Sequence, residues 1–243
     1  PRSTLFPYTT LFRSGAPMYS FSISLMCMDL LNLRKQVEFL NGVADFYHVD
    51  IMDGHYVPNI TLSPFFIEGL KRAAALPLDA HLMVTRPEVI SPLCLEAGAD
   101  YVSFHAETVD ARAFRLIDTI KAAGAKPGVV FNPETVPESA RYYLDQVDKI
   151  TVMTVDPGFS RQGFIRACLK KIEEFRDLKE KHGYGYSIEV DGACNARTFH
   201  DLAAAGAGIF VLGNTGLFGL DADLPTAWAM MKDNFGAAVA GIE

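Results

Sequence analysis

The chain has 243 residues, of which 49% are hydrophobic and 21% are charged, a composition typical of a folded globular protein and not of a disordered one. Its 22 basic and 29 acidic residues give a formal net charge of −7, which argues against nucleic acid or an anionic membrane surface as a partner. No stretch of the sequence approaches the roughly 18 consecutive apolar residues of a membrane-spanning helix.

Residues 1–17 show neither a helical nor a strand period and resemble a translated sequencing adaptor. We expect them to be a non-native or disordered extension, with Met18 as the first natural residue. We expect residues 18–243 to form a single domain, because no linker or change in composition divides them.

From Tyr19 onward, short apolar runs alternate with amphipathic segments of helix length. The predicted strands cover residues 21–27, 45–51, 78–83, 101–105, 126–131, 150–155, 187–191 and 209–212. The predicted helices lie near residues 30–41, 64–74, 87–97, 111–122, 137–144, 165–182, 196–205 and 224–235. Eight strand–helix units predict an α/β fold of the closed (β/α)8 type, a TIM barrel. An open doubly wound sheet shows the same alternation and is the alternative.

Four potential metal ligands fall at the ends of predicted strands: His48, Asp50, His81 and Asp191. Strand side chains alternate, so His48 and Asp50 point to the same side. In an α/β barrel, catalytic side chains gather at the carboxyl ends of the strands. Two imidazoles and two carboxylates suit one divalent ion such as Zn²⁺, Mn²⁺, Co²⁺ or Fe²⁺. The carboxylates beside such an ion could also move protons.

Three glycine-rich turns follow predicted strands six, seven and eight, at residues 156–163, 191–193 and 213–216. Backbone amides in such turns can bind a phosphate group, and barrels often hold phosphate in the loops after strands seven and eight. Arg161 could add positive charge. The three turns together predict a phosphate site.

Met52, Met83 and Met153 lie at or near strand ends. They could line a pocket and keep water from a reacting centre, or they could fill the core; both interpretations stay open. His105, at the end of predicted strand four, could either reach the same pocket or only close the barrel.

Four long segments resemble the ribulose-phosphate 3-epimerase family. They are residues 48–59 (HVDIMDGHYVPN), 81–84 (HLMV), 152–159 (VMTVDPGF) and 189–192 (EVDG), and the likeness extends in order from about Ser20 to Phe218. The resemblance implies a barrel of the ribulose-phosphate-binding type. It also implies a metal-dependent isomerase that inverts C3 of a phosphorylated ketose.

The resemblance assigns a role to each matching residue. The metal ligands would be His48, Asp50, His81 and Asp191, and Asp50 and Asp191 would also transfer the C3 proton on opposite faces of the substrate through a metal-stabilised ene-diolate. The substrate would contact Ser24, His81, Gly158, Phe159, Ser160, Arg161, Asp191, Gly192, Ala193, Gly213, Asn214 and Thr215, chiefly through its phosphate.

Within the family, residues 24–30, 62–66, 81–87, 150–157 and 191–195 are most similar to the members that interconvert D-allulose 6-phosphate and D-fructose 6-phosphate. That reaction is the expected one. The alternative is the 3-epimerase of D-ribulose 5-phosphate in the pentose phosphate pathway, whose enzymes usually read VNPGFGGQ where this chain has VDPGFSRQ at residues 155–162. A metal-dependent hydrolase and a non-catalytic sugar-phosphate-binding barrel are alternatives from other classes.

Three positions depart from the family pattern. Ile23 stands where proline is usual, which could loosen strand one. Ser160 and Arg161 replace a small, glycine-rich pair, and Asn214 and Thr215 replace a small residue and serine. Arg161 could either strengthen phosphate binding or intrude on the sugar pocket.

Two further expectations concern partners and location. Relatives form dimers or hexamers, so a homo-oligomer is expected by analogy. The four cysteines are scattered without a CxxC pair, which predicts reduced thiols in a cytoplasmic protein.

Overall fold

A computed structural model of the chain describes residues 19–109 and 111–242. The predicted extension at residues 1–17 lies outside the described residues. Within them, none of the helices is both long and apolar enough to cross a membrane.

Eight parallel strands form a closed barrel in chain order. Each strand pairs with its neighbours in sequence, and β1 also pairs with β8, which closes the sheet. The strands are β1 Ser20–Ser24, β2 Phe46–Met52, β3 Leu78–Met83, β4 Tyr101–His105, β5 Lys126–Phe131, β6 Lys149–Met153, β7 Ser187–Asp191 and β8 Ile209–Leu212. The predicted TIM barrel is therefore confirmed, and the open doubly wound sheet is wrong.

The α-helices of the described residues follow strands and cover the outside of the barrel. They are α1 Leu33–Leu40, α2 Pro64–Lys71, α3 Pro87–Glu96, α4 Ala113–Ala122, α5 Cys168–His182, α6 Phe199–Ala205 and α7 Leu224–Val239. Because helices cover one face and the barrel interior lies on the other, β3 is buried at all six positions.

Two predicted segments take a different type of structure from the one expected, while other elements differ only in their bounds. Strand one ends at Ser24, where its pairing with β2 ends, and Leu25–Cys27 form a 3₁₀ turn instead of more strand. No α-helix forms over residues 137–144; Pro137–Ala140 and Leu144–Gln146 make two 3₁₀ turns. The buried residues there recur every three to four positions, which fits either helix type, but the segment is too short to favour an α-helix strongly.

An aromatic cluster packs against the barrel where β8 pairs with β1 and closes the sheet. Phe235 of α7 packs edge-on against Phe21, Phe199 and Phe210, with ring centroids 4.9–5.1 Å apart.

Ile23 is fully buried and pairs with both neighbouring strands. The departure at Ile23 therefore leaves β1 regular, and the strand delivers Ser24 to the carboxyl end of the barrel.

Candidate active site

The four predicted metal ligands meet at the carboxyl end of the barrel. Their ligand atoms all lie within 4.8 Å of one another. Nε2 of His48 is 2.9 Å from Nδ1 of His81, and each of these nitrogens is 3.5–3.6 Å from a carboxylate oxygen of Asp50 and of Asp191. The arrangement follows from the strand period, because His48 and Asp50 are two apart on β2 and Asp50 pairs with His81 on β3.

The donor set fits a divalent metal ion. Tetrahedral ligands about 2.0–2.2 Å from a zinc ion lie about 3.3–3.6 Å from one another, close to the spacing of these four groups. Two imidazole nitrogens and two carboxylates converge on one point, and the side chains of both histidines are fully buried. Such a cluster of lone pairs in a buried place is suited to a cation.

Burial and charge act in opposite directions on the titration of these groups. Burial lowers the pKa of His48, but the carboxylates of Asp50, Asp191 and Asp79 outweigh burial and raise it well above the usual value. Burial raises the pKa of Asp191, but the two histidines beside it hold it below the usual value. Asp191 therefore stays ionised at neutral pH, as a metal ligand or a base requires.

Each possible base has a different environment. Asp50 is buried and accepts a hydrogen bond of 2.8 Å from the hydroxyl of Ser24. The side chain of Asp191 is 16% exposed, toward the pocket. Ser24, predicted as a substrate contact, thus also orients one of the two carboxylates.

A second histidine supports His81 from behind. Nε2 of His81 lies 2.8 Å from Nε2 of His105, and Nδ1 of His105 lies 2.8 Å from the hydroxyl of Tyr56, which also accepts from Asn132. The rings of His81 and His105 stack with centroids 5.0 Å apart. His105 therefore reaches the site indirectly, through the ligand His81, rather than only closing the barrel.

The titration of His105 agrees with this supporting position. Burial lowers the pKa of His105 to about 4, although Glu107 acts in the opposite sense. His105 is accordingly neutral at pH 7, so one ring nitrogen can donate and the other can accept. A neutral imidazole here fixes the ring of His81 without adding a positive charge next to the ligands.

A buried ionic cluster lies on the other side of His48. Nδ1 of His48 is 3.3 Å from Oδ2 of Asp79 and 3.9 Å from Oε1 of Glu189. The ammonium of Lys149 contacts the same oxygen of Asp79 and lies 2.7 Å from Oε1 of Glu189. Burial lowers the pKa of Lys149, but the two carboxylates outweigh it and the net pKa is raised.

A pocket of about 590 Å³, including its open mouth, lies directly above the ligands. This volume is in the range of small-molecule sites. The predicted substrate residues other than His81 line it: Ser24, Gly158, Phe159, Ser160, Arg161, Asp191, Gly192, Ala193, Gly213, Asn214 and Thr215. Asp50 lines it as well.

The three methionines line the same pocket. Met52 and Met83 pair across β2 and β3 and pack with Val57, while Met153 packs with Val130 and Val155. Both clusters are separate from the main core. The structure thus favours the pocket-lining interpretation of the methionines over core filling, and places sulfur and methyl groups beside the two carboxylates.

The loops after β6 and β7 need backbone conformations that favour glycine. Gly192 has φ +112°, and a Cβ added to it would lie 2.6 Å from Cγ2 of Val155. Gly158 has φ +114° and lies against Val57. Ala193 and Arg161 also have positive φ, of 50° and 64°. Such turns point backbone amides into a concave surface that suits an anion.

Among the described residues that line this pocket, Arg161 is the one cationic side chain. Its Nε donates a hydrogen bond of 2.9 Å to Oδ1 of Asn214, so it joins the loops after β6 and β8 at the mouth. It contacts none of the four ligands. Two of the residues that depart from the family pattern, Arg161 and Asn214, therefore contact each other in the pocket lining.

Sequence reasoning missed the residues behind the ligands. Asp79, Lys149 and Glu189 beneath His48, and His105 with Tyr56 and Asn132 beneath His81, received no role or an open one. A usable signal was present, because Asp79 lies two residues before His81 and Glu189 two residues before Asp191. With a strand period of two, both point into the barrel on the same side as the ligands.

Comparison with known proteins gives a consistent family. The family model of the ribulose-phosphate 3-epimerase family matches residues 20–218. A ribulose-phosphate 3-epimerase of Serratia marcescens is 42% identical over 198 residues, 81% of this chain and 93% of that protein. A chloroplastic ribulose-5-phosphate-3-epimerase of Arabidopsis thaliana is 40% identical over 195 residues, 79% of this chain and 69% of that protein.

Solved structures agree on the fold. The 3-hexulose-6-phosphate synthase of Salmonella typhimurium superposes with a TM-score of 0.63, covering 90% of this chain and 99% of that one, at 16% identity. That likeness shows the barrel alone. The extent and identity of the sequence matches show more: the chain belongs to the ribulose-phosphate 3-epimerase family, whose members are isomerases that depend on a divalent metal.

Proposed function

We propose that the protein is the 3-epimerase of D-ribulose 5-phosphate. The observation that carries the proposal is the convergence of His48, Asp50, His81 and Asp191 within 4.8 Å, in a chain of this family. Several relatives that match over most of its length are named ribulose-phosphate 3-epimerases. The comparisons thus favour the pentose phosphate, our alternative from the sequence, over D-allulose 6-phosphate.

In the proposed mechanism, His48, Asp50, His81 and Asp191 would hold a divalent ion, which would supply Lewis-acid chemistry that makes the proton beside the substrate carbonyl more acidic. Asp50 and Asp191 serve as the two bases. One carboxylate removes the C3 proton from one face and the other delivers a proton to the opposite face. Two bases are needed, because a single base would return the proton to the side it came from.

Other residues of the chain orient the bases and exclude water. The hydroxyl of Ser24 fixes one oxygen of Asp50. Met52, Met83 and Met153 keep the space beside the bases apolar, which limits loss of the abstracted proton to solvent. The loops at Gly158–Arg161, Gly192–Ala193 and Gly213–Thr215 hold the phosphate, with Arg161 supplying positive charge at the mouth.

Proton exchange tests the two-base mechanism. In heavy water, the wild-type enzyme should exchange the C3 proton of D-ribulose 5-phosphate during turnover, followed by NMR. We expect Asp50→Asn and Asp191→Asn to lower kcat by about 10³-fold or more, since each removes a base from one face. Asp177→Asn, an exposed carboxylate on α5, is the control and should keep full activity. Full activity in either site variant would refute the assigned roles.

D-Allulose 6-phosphate is the second candidate substrate. The segments at residues 24–30, 81–87 and 155–162 favour it, including Asp156 where the pentose enzymes usually have asparagine. Coupled assays on the two phosphates decide between them. A larger kcat/KM for D-ribulose 5-phosphate supports the main proposal, and a larger value for the hexulose phosphate replaces it with the second candidate.

The oligomeric state and the cytoplasmic location stay predictions. Support for self-association comes from large apolar side chains that are exposed in the isolated chain, among them Leu31 at 95% and Phe65 at 81%. A contiguous surface built from such side chains would be typical of a protein contact. The four free cysteines support a reducing compartment.

A further inference from the structure

Lys149 carries a positive charge inside the barrel, between two buried carboxylates. The residue starts β6 and is 4% exposed. Barrel interiors are normally filled by branched apolar side chains, and a buried charge is tolerated only when it is paired. Its partners are Asp79 on β3 and Glu189 on β7, so the cluster joins three strands across the interior.

The two carboxylates are themselves held by hydroxyls. Oδ1 of Asp79 accepts a hydrogen bond of 2.7 Å from Ser103, and Oε1 of Glu189 accepts one of 2.8 Å from Thr151. Every member of the cluster is buried. Each carboxylate group is therefore held from two directions, by a hydroxyl and by the ammonium of Lys149.

This cluster lies directly against a metal ligand. Nε2 of His48 faces the four-ligand site, while Nδ1 faces the cluster, 3.3 Å from Asp79 and 3.9 Å from Glu189. Nδ1 has no other acceptor and makes no hydrogen bond of regular geometry in the described residues. The same three side chains lie close enough together to hold a metal ion, but the ammonium of Lys149 already supplies the cation there.

We propose that Lys149 is a positioning residue for the metal site. Without its ammonium, the two carboxylates would repel each other. With it, Asp79 stays beside Nδ1 of His48, so that Nδ1 would carry the hydrogen and Nε2 would keep its lone pair free for a metal ion. A carboxylate behind a ligand histidine is known to fix the tautomer and the orientation of the ring. The inference rests on the proposed metal site and extends it to the layer beneath.

Metal affinity of Lys149→Met tests this directly. Methionine has a similar length and no charge. We expect Mn²⁺ binding, measured without substrate by competition with a chelator, to weaken about 10-fold to 100-fold. If Lys149 acted only through its charge, removing a positive group beside the site would instead strengthen binding. If Lys149→Met binds its first Mn²⁺ ion as tightly as the wild type does, or more tightly, the proposal is overturned.

Lys171→Met is the matched control. Lys171 is also a buried lysine, but within the part of the chain that the structure describes it donates to the backbone carbonyls of Asn132 and Pro133 and not to a carboxylate. The control should suffer a similar loss of stability while its Mn²⁺ affinity changes less than twofold. An equal fall in affinity in both variants would mean that general loosening of the fold is responsible, and would overturn the proposal.

Two further measurements apply even if Lys149→Met does not fold. In the wild-type chain loaded with Zn²⁺, ¹⁵N chemical shifts should show His48 with hydrogen on Nδ1; hydrogen on neither nitrogen overturns the proposal.

Ser103→Ala frees one oxygen of Asp79 and leaves all charges unchanged. We expect a several-fold loss of Mn²⁺ affinity in that variant, and no loss counts against the proposal. A chain that passes these tests but acts on neither ketose phosphate would refute the proposed function alone.

Discussion

Ser22 and Ser24 lie two residues apart on β1 and face the barrel interior, yet their hydroxyls differ in what they do. Ser24 donates to Asp50 at 2.8 Å, whereas the hydroxyl of Ser22 is buried with no hydrogen-bond partner in the described residues. A hydrogen bond to a charged group is worth about 1.5–3 kcal/mol. The pair therefore separates a functional hydroxyl from one that only occupies space.

We expect Ser24→Ala to lower kcat about 10-fold or more, because Asp50 loses the donor that orients it. Steady-state kinetics on the ketose phosphate measures the effect. Ser22→Ala is the control; it removes an unsatisfied polar group, so activity should stay the same and the free energy of unfolding should stay equal or rise. Equal kcat values for the two variants would contradict the positioning role of Ser24.

At the scale of elements, the loops after β2 and β3 are joined by one carboxylate. Oδ1 of Asp53 accepts from the backbone amides of His55 and Tyr56, and Oδ2 accepts from the amide and hydroxyl of Thr85, all at 2.8 Å. Burial raises the pKa of Asp53, but these hydrogen bonds outweigh it and lower the pKa to about 2. The loop after β2, which places Tyr56 beside His105, is thus held by the ionised carboxylate of Asp53.

The lowered pKa predicts how stability depends on pH. Ionised Asp53 stabilises the folded state at pH values above its pKa in the unfolded chain, about 3.9, and this contribution is lost as pH falls toward about 2. Because the group is near solvent, we expect Asp53→Asn to lower the free energy of unfolding at pH 7 by only about 1 kcal/mol.

Urea unfolding of the wild type and of Asp53→Asn at several pH values measures this difference. It should be full at pH 7 and shrink steadily below pH 4. A difference that stays constant between pH 7 and pH 3 would show that the hydrogen-bonding shape of Asp53, and not its charge, is what matters.

At the scale of the whole molecule, the barrel closes where β8 meets β1, and α7 covers this seam. Phe235 of α7 is 4% exposed and packs against Phe21, Phe199 and Phe210. We expect Phe235→Ala to lower the free energy of unfolding by about 3–5 kcal/mol, since it leaves a cavity among aromatic rings. Denaturant unfolding measures it.

Phe114→Ala is the control for that prediction. Phe114 is 48% exposed on α4 and packs against one ring, Tyr143. Its replacement should change the free energy of unfolding much less. A similar loss of unfolding free energy in both variants would indicate that the aromatic cluster around Phe235 stabilises the barrel no more than an exposed ring does.

Much of the fold followed from local pattern. The bounds of β3, β4, β5, β7 and β8 agree with the strands expected from apolar runs, because both faces of these strands are largely buried and apolar residues therefore recur along them. Helix starts were less well predicted. The helix expected at residues 196–205 begins at Phe199. The hydroxyl of Thr198 accepts from the amide of Asn195 and donates to the carbonyl of Ala193, and this turn precedes the helix.

The sequence by itself determined the barrel and the identity of the four candidate ligands, because a strand period of two and the rule that sites lie at strand ends are both local properties of the chain. Only the tertiary structure decided what stands behind those ligands. Asp79, Lys149 and Glu189 are far apart in the sequence and meet because closure of the barrel brings β3, β6 and β7 around one interior. Contacts across that interior depend on how the strands are staggered, and no periodicity within a single strand contains that information.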